Sequence, residues 1–172
     1  KKVFIWTFVV GVVLGAAVMA WCYISFKGNA VLESKEFYVS RNTTYDELID
    51  SLKPSIKHHF AFDIYAERLA LKENYKVGHY VVKNGMNVIE IVRMLKLGLQ
   101  TPVIVTMNNV KIPAQLSGKL AAQLEADSVE LVNVLTDKAL AKKMGFESPL
   151  TMFSIFLPNT YEVYWTVKPE EF

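Results

Sequence analysis

The stretch FLPNTYEVYW at residues 156–165 determines how the rest of the chain is interpreted. Pro158-Asn159 is a turn signal that separates the apolar run 153–157 from an alternating run beginning at Tyr161. The alternating run is rich in aromatic and β-branched residues, which favour a strand. A strand, a corner and several flat rings would form a suitable wall for a sugar site, because such rings stack on sugar faces. The same pattern also fits an aromatic core strand after a tight turn, and the residues alone leave both interpretations open.

Alternation along this strand places Tyr161 and Val163 on one face and Glu162 and Tyr164 on the other. Glu162 is the carboxylate inside the aromatic stretch, and glycosidic chemistry needs a carboxylic acid to protonate the leaving oxygen. A solvent-facing glutamate on a half-exposed strand is the simpler interpretation of Glu162. If the stretch binds sugar, the side chains expected to line the cleft are Asn159, Tyr161 and Tyr164.

The overall composition indicates one domain or two small ones within 172 residues, of which 52% are hydrophobic. The net charge is only +2, from 19 basic and 17 acidic side chains that are interspersed. Because the basic side chains do not form a stripe long enough to follow a phosphate backbone, nucleic acid is not an expected partner. The single cysteine, Cys22, lies in an apolar run, so no intramolecular disulfide can form.

An apolar segment without any charged side chain spans residues 3–26, directly after Lys1 and Lys2. As a helix it would be about 36 Å long, which exceeds the roughly 30 Å hydrocarbon core of a bilayer. Trp6 lies near one end and Trp21 near the other, where amphipathic rings favour the membrane interface. The sequence therefore predicts a transmembrane anchor over residues 1–27.

Two alternatives to a retained anchor fit less well. A cleavable signal peptide has a shorter apolar core and small residues at the cut, a pattern that Val-Met-Ala at 18–20 meets poorly. A lipoprotein signal places a small residue before the modified cysteine, whereas Trp21 precedes Cys22. The N-terminal lysines, partly balanced by Lys27, place the short N-terminus in the cytoplasm and everything after Gly28 outside the inner membrane.

Two similar strand–turn–helix units follow a short polar connector over residues 28–35. Each helix has capping-box spacing before it, Thr44-x-x-Glu47 in the first unit and Asn87-x-x-Glu90 in the second. The predicted elements are a strand at 36–40, a helix at 45–52, a strand and turn at 79–85 and a helix at 88–97 ending at Gly98. With one inserted residue the units align, pairing Tyr38 with Tyr80 and Leu48 with Ile91.

A helix is predicted between these units, over residues 60–71. Its period places four apolar residues inward, namely Ile64, Ala66, Leu69 and Ala70. Together these elements predict a compact α+β module from about residue 36 to Gly98.

A third unit begins with a strand at 103–106, and its Asn108-Asn109 turn leads to a helix from Pro113 to about Ala126. Two further helices are predicted at 129–135, capped by Asp127-Ser128, and at 136–143. The side chains expected to be buried there are Leu131, Val134, Leu135, Leu140 and Met144, and those expected to be solvated are Lys138, Lys142 and Lys143.

No metal or cofactor site is expected from the sequence. The histidines are His58, His59 and His79, and adjacent histidines on a helix point in different directions, so structural or exposed roles fit better. Nucleophile-elbow, P-loop and dinucleotide-binding motifs do not occur in the chain.

Several motifs resemble, in the right order, those of the endolytic murein transglycosylases, the YceG-like or MltG family. The motifs are GHYVV at 78–82, GMN at 85–87, PVIVT at 102–106, NNV at 108–110, QL at 115–116 and FLPNTYEVYW at 156–165. The last is similar to the family's Leu/Phe-x-Pro-Asp/Asn-Thr-Tyr signature. The Asn-Asn and Tyr-Glu-Val-Tyr-Trp details resemble the Bacteroidetes branch, and the resemblance spans nearly the whole chain.

The resemblance implies an α+β protein of the bacterial inner membrane with four parts: the anchor (1–27), the connector (28–35), a LysM-like module (36–100) and the first part of a catalytic domain (101–172). Such enzymes break the MurNAc–GlcNAc bond of nascent glycan strands without adding water. One glutamate acts as acid and then base while the sugar's 6-hydroxyl attacks, which leaves a 1,6-anhydro end and limits strand length. The implied partners are peptidoglycan strands, the membrane and the cell-wall synthesis machinery, without a cofactor.

The sequence departs from the family at the catalytic residue. The family's glutamate lies in a Glu-Lys-Glu-like segment downstream of the signature, and nothing up to Phe172 matches it. We therefore expect no catalytic residue in these 172 residues, and we expect the chain alone not to cleave glycan. A truncated catalytic domain is also expected to expose apolar surface.

Two hypotheses about function follow from this departure. The first is a transglycosylase represented by its N-terminal portion. The second is a non-enzymatic, membrane-anchored module that binds peptidoglycan or a division-machinery partner. A third, an anchor joined to an unrelated structural domain, is disfavoured by the ordered motifs.

Overall fold

The computed structural model of the chain describes residues 2–108, 110 and 112–172, with side chains from Trp6 onward. It shows a mixed α+β protein, as the sequence predicts. The residues group into two compact units. The first unit runs up to Lys76 and includes Tyr80–Leu99, and the second consists of Val77–His79 and Gln100–Phe172.

The N-terminal helix, α1, extends from Lys2 to Lys27. Its segment Trp6–Lys27 is long and apolar enough to cross a membrane, and the most apolar part of this segment is not buried by the rest of the protein. The last turn of the helix nevertheless packs on the first unit. Ser25 is buried there, and Phe26 contacts the hydrophobic core.

The elements between α1 and residue 99 form one hydrophobic core around a two-stranded sheet of β1 and β2. In chain order they are β1 (Lys35–Val39), α2 (Tyr45–Leu52), a 3-10 turn (Lys53–Ser55), α3 (His59–Arg68), α4 (Leu71–Asn74), β2 (Gly78–Val82) and α5 (Val88–Leu97). The largest fully buried side chains of this core are Tyr80, Phe62, Leu48, Leu52, Ile56, Leu71, Ile91 and Leu95.

The predicted capping boxes begin α2 and α5. The Thr44 hydroxyl accepts a hydrogen bond from the Glu47 N–H at 3.3 Å, and the Glu47 carboxylate accepts one from the Thr44 N–H at 2.8 Å. Asn87 and Glu90 make the same reciprocal pair at 3.0 and 2.9 Å. Each box satisfies backbone donors that the first helical turn leaves without a partner. Gly98 ends α5 with a left-handed φ of 70°, where glycine avoids the clash of a Cβ.

The two strand–turn–helix units repeat without the inserted residue that the sequence comparison predicts. Phe37 and Val39 of β1 face the core, as do Tyr80 and Val82 of β2. Phe37 therefore corresponds to Tyr80, and the two rings lie 5.9 Å apart. Tyr38, which was predicted to match Tyr80, is 48% exposed. A shift of one residue along a strand moves a side chain to the opposite face, so the predicted alignment of the strands is wrong by one position.

The helix predicted over residues 60–71 is interrupted. It ends at Arg68, and Ala70 takes a left-handed conformation before α4 begins. Phe62 and Ala66 face the core, whereas Ile64 and Ala70, both predicted inward, are exposed. Ile64 lies about 200° around the helix from Phe62, and the larger aromatic ring determines which face is buried.

The segment between α1 and β1 is part of the core of the first unit. Ala30 and Val31 are fully buried. The Ala30 N–H donates to the Met86 carbonyl at 2.8 Å, and the Lys57 N–H donates to the Ala30 carbonyl at 2.7 Å. Val31 also pairs with Ile56 in an antiparallel bridge. This segment is an ordered join, a feature that its polar sequence did not predict.

The second unit contains one antiparallel strand pair surrounded by short helices. Its elements are β3 (Val103–Met107), α6 (Pro113–Ala121), α7 (Ser128–Leu135), α8 (Lys138–Lys143), α9 (Pro149–Met152), a 3-10 turn (Phe153–Ile155) and β4 (Asn159–Val163). The register of β3 and β4 runs from Val103 opposite Val163 to Met107 opposite Asn159.

Several predicted boundaries in this unit are wrong. The helix from Pro113 ends at Ala121 instead of Ala126, because the chain turns there and the Glu125 N–H donates to the Trp165 carbonyl at 2.9 Å. β4 starts at Asn159, two residues before the predicted strand, because pairing with β3 begins there. The turn predicted at Asn108-Asn109 includes a residue, Asn109, outside the described part of the chain.

The predicted burial of α7 and α8 is confirmed in part. Leu131 and Leu135 are buried, Val134 and Leu140 are half-buried, and Met144 is 50% exposed, contrary to the prediction. The exposed lysines are confirmed at 138, 142 and 143. Met144 follows the last turn of α8, beyond the buried stripe of the helix.

Candidate functional site

The PNTYEVYW portion of the stretch forms a corner followed by β4. Asn159 is the first residue of the strand and lies opposite Met107. Its side-chain oxygen accepts a hydrogen bond from the Thr160 N–H at 2.8 Å, and the residue is exposed. Asn159 therefore shapes the strand entry while most of its amide stays accessible.

Tyr161 is held by one hydrogen bond and one aromatic contact. Its hydroxyl donates to the Leu157 carbonyl at 3.0 Å, across the Pro158 corner. Its ring meets Phe172 edge-on, with the centroids 6.4 Å apart at 61°. Tyr161 lies opposite the fully buried Val105 and is itself half-buried, so one part of the ring is in the core and another part is accessible.

Glu162 and Tyr164 lie toward solvent. Glu162 is exposed and lies opposite Ile104, which is 71% exposed. Tyr164 follows the end of β4 and is 56% exposed. Strand alternation places Asn159 on the face of Tyr161, whereas Tyr164 continues the face of Glu162. The structure therefore brings two of the three predicted binding residues to one face and leaves Tyr164 on the other.

A cavity of about 310 Å³ opens beside the inner face of β4. Its lining is mainly apolar and consists of Met107, Val134, Leu135, Leu140, Met144, Met152, Ile155, Phe156, Tyr161, Val163, Pro169, Glu170, Glu171 and Phe172. The volume is at the lower end of the range of small-ligand pockets. Tyr161 is the predicted binding residue that contributes to this cavity.

The family model of the YceG-like family matches residues 37–172. The chain belongs to the YceG-like family. This match confirms the resemblance seen in the ordered motifs, and it begins within β1 and covers every element from α2 to β4.

One solved structure that resembles this YceG-like chain is the crystal structure of a yceG-like protein from Listeria monocytogenes. The two proteins share 16% sequence identity with a TM-score of 0.38, and the match covers 80% of this chain. The matched part is 51% of the Listeria protein, so the chain spans about half the length of that structure. None of the curated proteins matches the chain.

Metal-ligating side chains do not cluster in the described part of this YceG-like chain. Among the described residues there is no group of three or more His, Cys, Asp or Glu side chains that could hold a metal ion. His59 Nε2 lies 2.8 Å from the Ile56 carbonyl, and the buried His79 places Nδ1 2.9 Å from the Thr101 carbonyl. Both imidazoles therefore contact main-chain oxygens.

The sequence did not predict that the chain's last residues form one wall of the cavity. The Phe172 ring stacks on Phe156 with centroids 6.4 Å apart and 12° between planes. Glu170 and Glu171 also line the cavity, and Glu171 lies 3.8 Å from the Lys168 ammonium. Met144 is a further lining residue, which the sequence predicted as buried without assigning it to a site.

Proposed function

We propose that this chain is the membrane-anchored, N-terminal portion of an endolytic peptidoglycan lytic transglycosylase. In this proposal residues 1–27 anchor the protein, 28–35 join the anchor to the next part, 36–100 form a LysM-like module, and 101–172 begin the catalytic domain. The observation that carries the proposal is the family match over residues 37–172, together with the position of the signature residue Tyr161 on the cavity.

The proposed reaction breaks the MurNAc–GlcNAc bond of a nascent strand. A glutamic acid protonates the glycosidic oxygen, the C1–O bond breaks, and the resulting carboxylate takes the proton of the sugar's 6-hydroxyl as that oxygen bonds to C1. The product is a 1,6-anhydro end, and no water is consumed. We assign no residue of this chain to the acid, because the family's glutamate belongs to a segment downstream of the signature.

The position of Glu162 does not support its assignment as the general acid. It is exposed and lies on the outward face of β4, whereas Tyr161 lies on the cavity side. A general acid works best where its surroundings raise its pKa and exclude water. The exposed position of Glu162 therefore favours a binding role for the described part of the chain. The second candidate function is accordingly a non-enzymatic module that binds peptidoglycan or a cell-wall synthesis partner.

The proposed location is the bacterial inner membrane, crossed once, with the bulk of the chain in the periplasm. The length and composition of Trp6–Lys27 support a crossing, and the lysines before it support a cytoplasmic N-terminus. Peptidoglycan strands are synthesised at the outer surface of that membrane, which would place the substrate beside the anchored protein.

Glycan binding tests the assignment of the aromatic stretch. Replacing the exposed ring in Tyr164→Ala should weaken binding of un-crosslinked glycan strands by the full chain in detergent micelles about tenfold, since one stacked ring contributes about 1–1.5 kcal/mol. Tyr164→Phe should keep most of the affinity. The control is Leu150→Ala, which removes an exposed apolar side chain from α9, outside both the aromatic stretch and the LysM-like module. Equal affinity for wild type and Tyr164→Ala would contradict the assignment.

The chemical reaction is tested by mass spectrometry of glycan digested with the native protein taken from its own membrane. Anhydro ends, lighter by one water than hydrolysed ends, would support the transglycosylase. If the native protein binds glycan strands and leaves them intact, the non-enzymatic module is the better description. The intact mass of the same preparation shows how much protein accompanies these 172 residues.

A further inference from the structure

An exposed aromatic ring of the first unit contacts the membrane-spanning helix. Phe60, in the first turn of α3, lies with its ring centroid 6.4 Å from that of Trp21 of α1, at an angle of 33°. Phe60 remains 66% exposed, and Trp21 is 58% exposed. Two large rings therefore contact each other while most of their surface lacks a protein neighbour, which is costly in water.

The position of Phe60 relative to α1 is fixed by the ordered join. The Lys57 N–H donates to the Ala30 carbonyl at 2.7 Å, only three residues before Phe60. The bridge between Val31 and Ile56 adds a second link between the same two segments. Since α1 ends in this join, α3 cannot swing away from the helix without breaking the core.

The membrane-spanning helix determines the depth of this contact. Residues 3–20 form about 27 Å of helix, which nearly fills the roughly 30 Å hydrocarbon core. Trp21 then lies at the membrane–water interface opposite the one near Lys1 and Lys2, and tryptophan is enriched at such interfaces. Helical side chains point toward the N-terminus, so the Trp21 ring is directed toward the bilayer, and the Phe60 ring that contacts it shares its depth.

The residues around Phe60 suit a phospholipid headgroup layer. Lys57 is exposed, and no acidic residue occurs in the first turn of α3. Asp63, one turn further, lies 3.4 Å from the Lys53 ammonium, which compensates its charge. Anionic headgroups attract lysine, and the membrane interface accepts aromatic rings.

We propose that residues 57–60 are a second membrane contact, in which Phe60 inserts into the headgroup layer beside Trp21 and Lys57 faces lipid phosphates. The occupant is the bilayer that α1 crosses. This inference rests on the anchor role of α1 in the proposed function. It means that the first unit lies directly against the membrane surface with α3 at the contact.

Spin-label accessibility tests this contact in the full chain. In a Cys22→Ser background, single labels are placed through Phe60→Cys, Glu67→Cys and Leu14→Cys, and the protein is reconstituted into phosphatidylethanolamine–phosphatidylglycerol vesicles. Glu67 is the matched control, because it is exposed on α3 about two turns from Phe60 on the same face. We expect the ratio of oxygen to nickel-chelate accessibility to be several-fold higher at position 60 than at 67, and highest at 14.

The labels separate this inference from the anchor itself. A lipid-exposed label at 14 with a water-exposed label at 60 overturns the contact and leaves the anchor intact. A water-exposed label at 14 overturns both. If 60 and 67 are equally lipid-exposed, a contact confined to the start of α3 is also overturned. A Phe60→Trp variant, with the native tryptophans replaced by phenylalanine, gives a second measurement: brominated lipids should quench its fluorescence.

Discussion

Tyr80 is a fully buried tyrosine at the centre of the first core. Its hydroxyl donates to the Lys76 carbonyl at 2.9 Å, and its ring lies against Phe37. Burial raises the pKa of Tyr80 from 10.0 to about 12, because the phenolate would lose its hydration. The folded chain therefore retains a proton that the unfolded chain releases at a lower pH.

This pKa predicts a loss of stability in alkali. Between about pH 10 and pH 12 the unfolded state binds fewer protons than the folded state, so raising the pH favours unfolding. The free energy of unfolding should fall over this window by at most about 1.4 kcal/mol per pH unit, and below the window titration of Tyr80 should not change it. Denaturant titrations of the full chain in micelles, compared with Tyr80→Phe, measure this. Phenylalanine should lower stability near neutrality by about 1 kcal/mol, and parallel pH curves would contradict the prediction.

Ala70 is a second residue with a measurable conformational cost. Its φ of 48° is left-handed, and the side chain is exposed, so only its backbone conformation is at issue. Ala70→Gly should stabilise the chain by about 0.5–1 kcal/mol, because relief of the left-handed penalty exceeds the entropy that glycine adds to the unfolded state. Ala66→Gly, in the interior of α3, should instead destabilise it by about 1 kcal/mol or more. Opposite shifts in the denaturation midpoint confirm the conformation, and shifts of the same sign would refute it.

Among the elements, the β3–β4 pair has a register that can be trapped chemically. Thr106 and Thr160 lie directly opposite each other and are both exposed. In a Cys22→Ser background, Thr106→Cys with Thr160→Cys should form a disulfide rapidly, because opposite Cβ atoms are about 4.5–5.5 Å apart. Thr106→Cys with Glu162→Cys is the offset control and should oxidise much more slowly. Counting free thiols by mass spectrometry measures both, and faster oxidation of the offset pair would show a different register.

Helix boundaries that are set by neighbouring residues could be predicted from the sequence, whereas boundaries set by residues far along the chain could not. The boxes at Thr44 and Asn87 are local, so the sequence identified the starts of α2 and α5. The early end of α6 depends on a distant partner, the Trp165 carbonyl that accepts a hydrogen bond from the Glu125 N–H. No local pattern encodes that partner, so the predicted helix was too long, and the left-handed Ala70 that interrupts the other predicted helix has no glycine to signal it.

For the whole molecule, the sequence predicted the mixed α+β class, the apolar N-terminal helix and the family. Tyr161, which the sequence predicts as a binding residue, lines the cavity, and the Pro-Asn corner before an aromatic strand is a local signal of its position. It could not predict that Phe172 would stack on Phe156 and form a wall of the cavity, since this contact depends on the path of the chain after β4. The motif suggested that Tyr161 and Tyr164 line the same cleft, although strand alternation places their side chains on opposite faces.

The ordered join between α1 and β1 also bears on where a protease could cut the chain. Proteases need an extended, accessible segment, and a flexible tether below a folded domain normally offers one. Here the corresponding residues, Ala30 and Val31, are buried and bridged to Ile56. Cutting at these two residues requires the first unit to open, so cleavage there should be limited by that opening, whereas the exposed residues from Leu32 to Ser34 remain accessible.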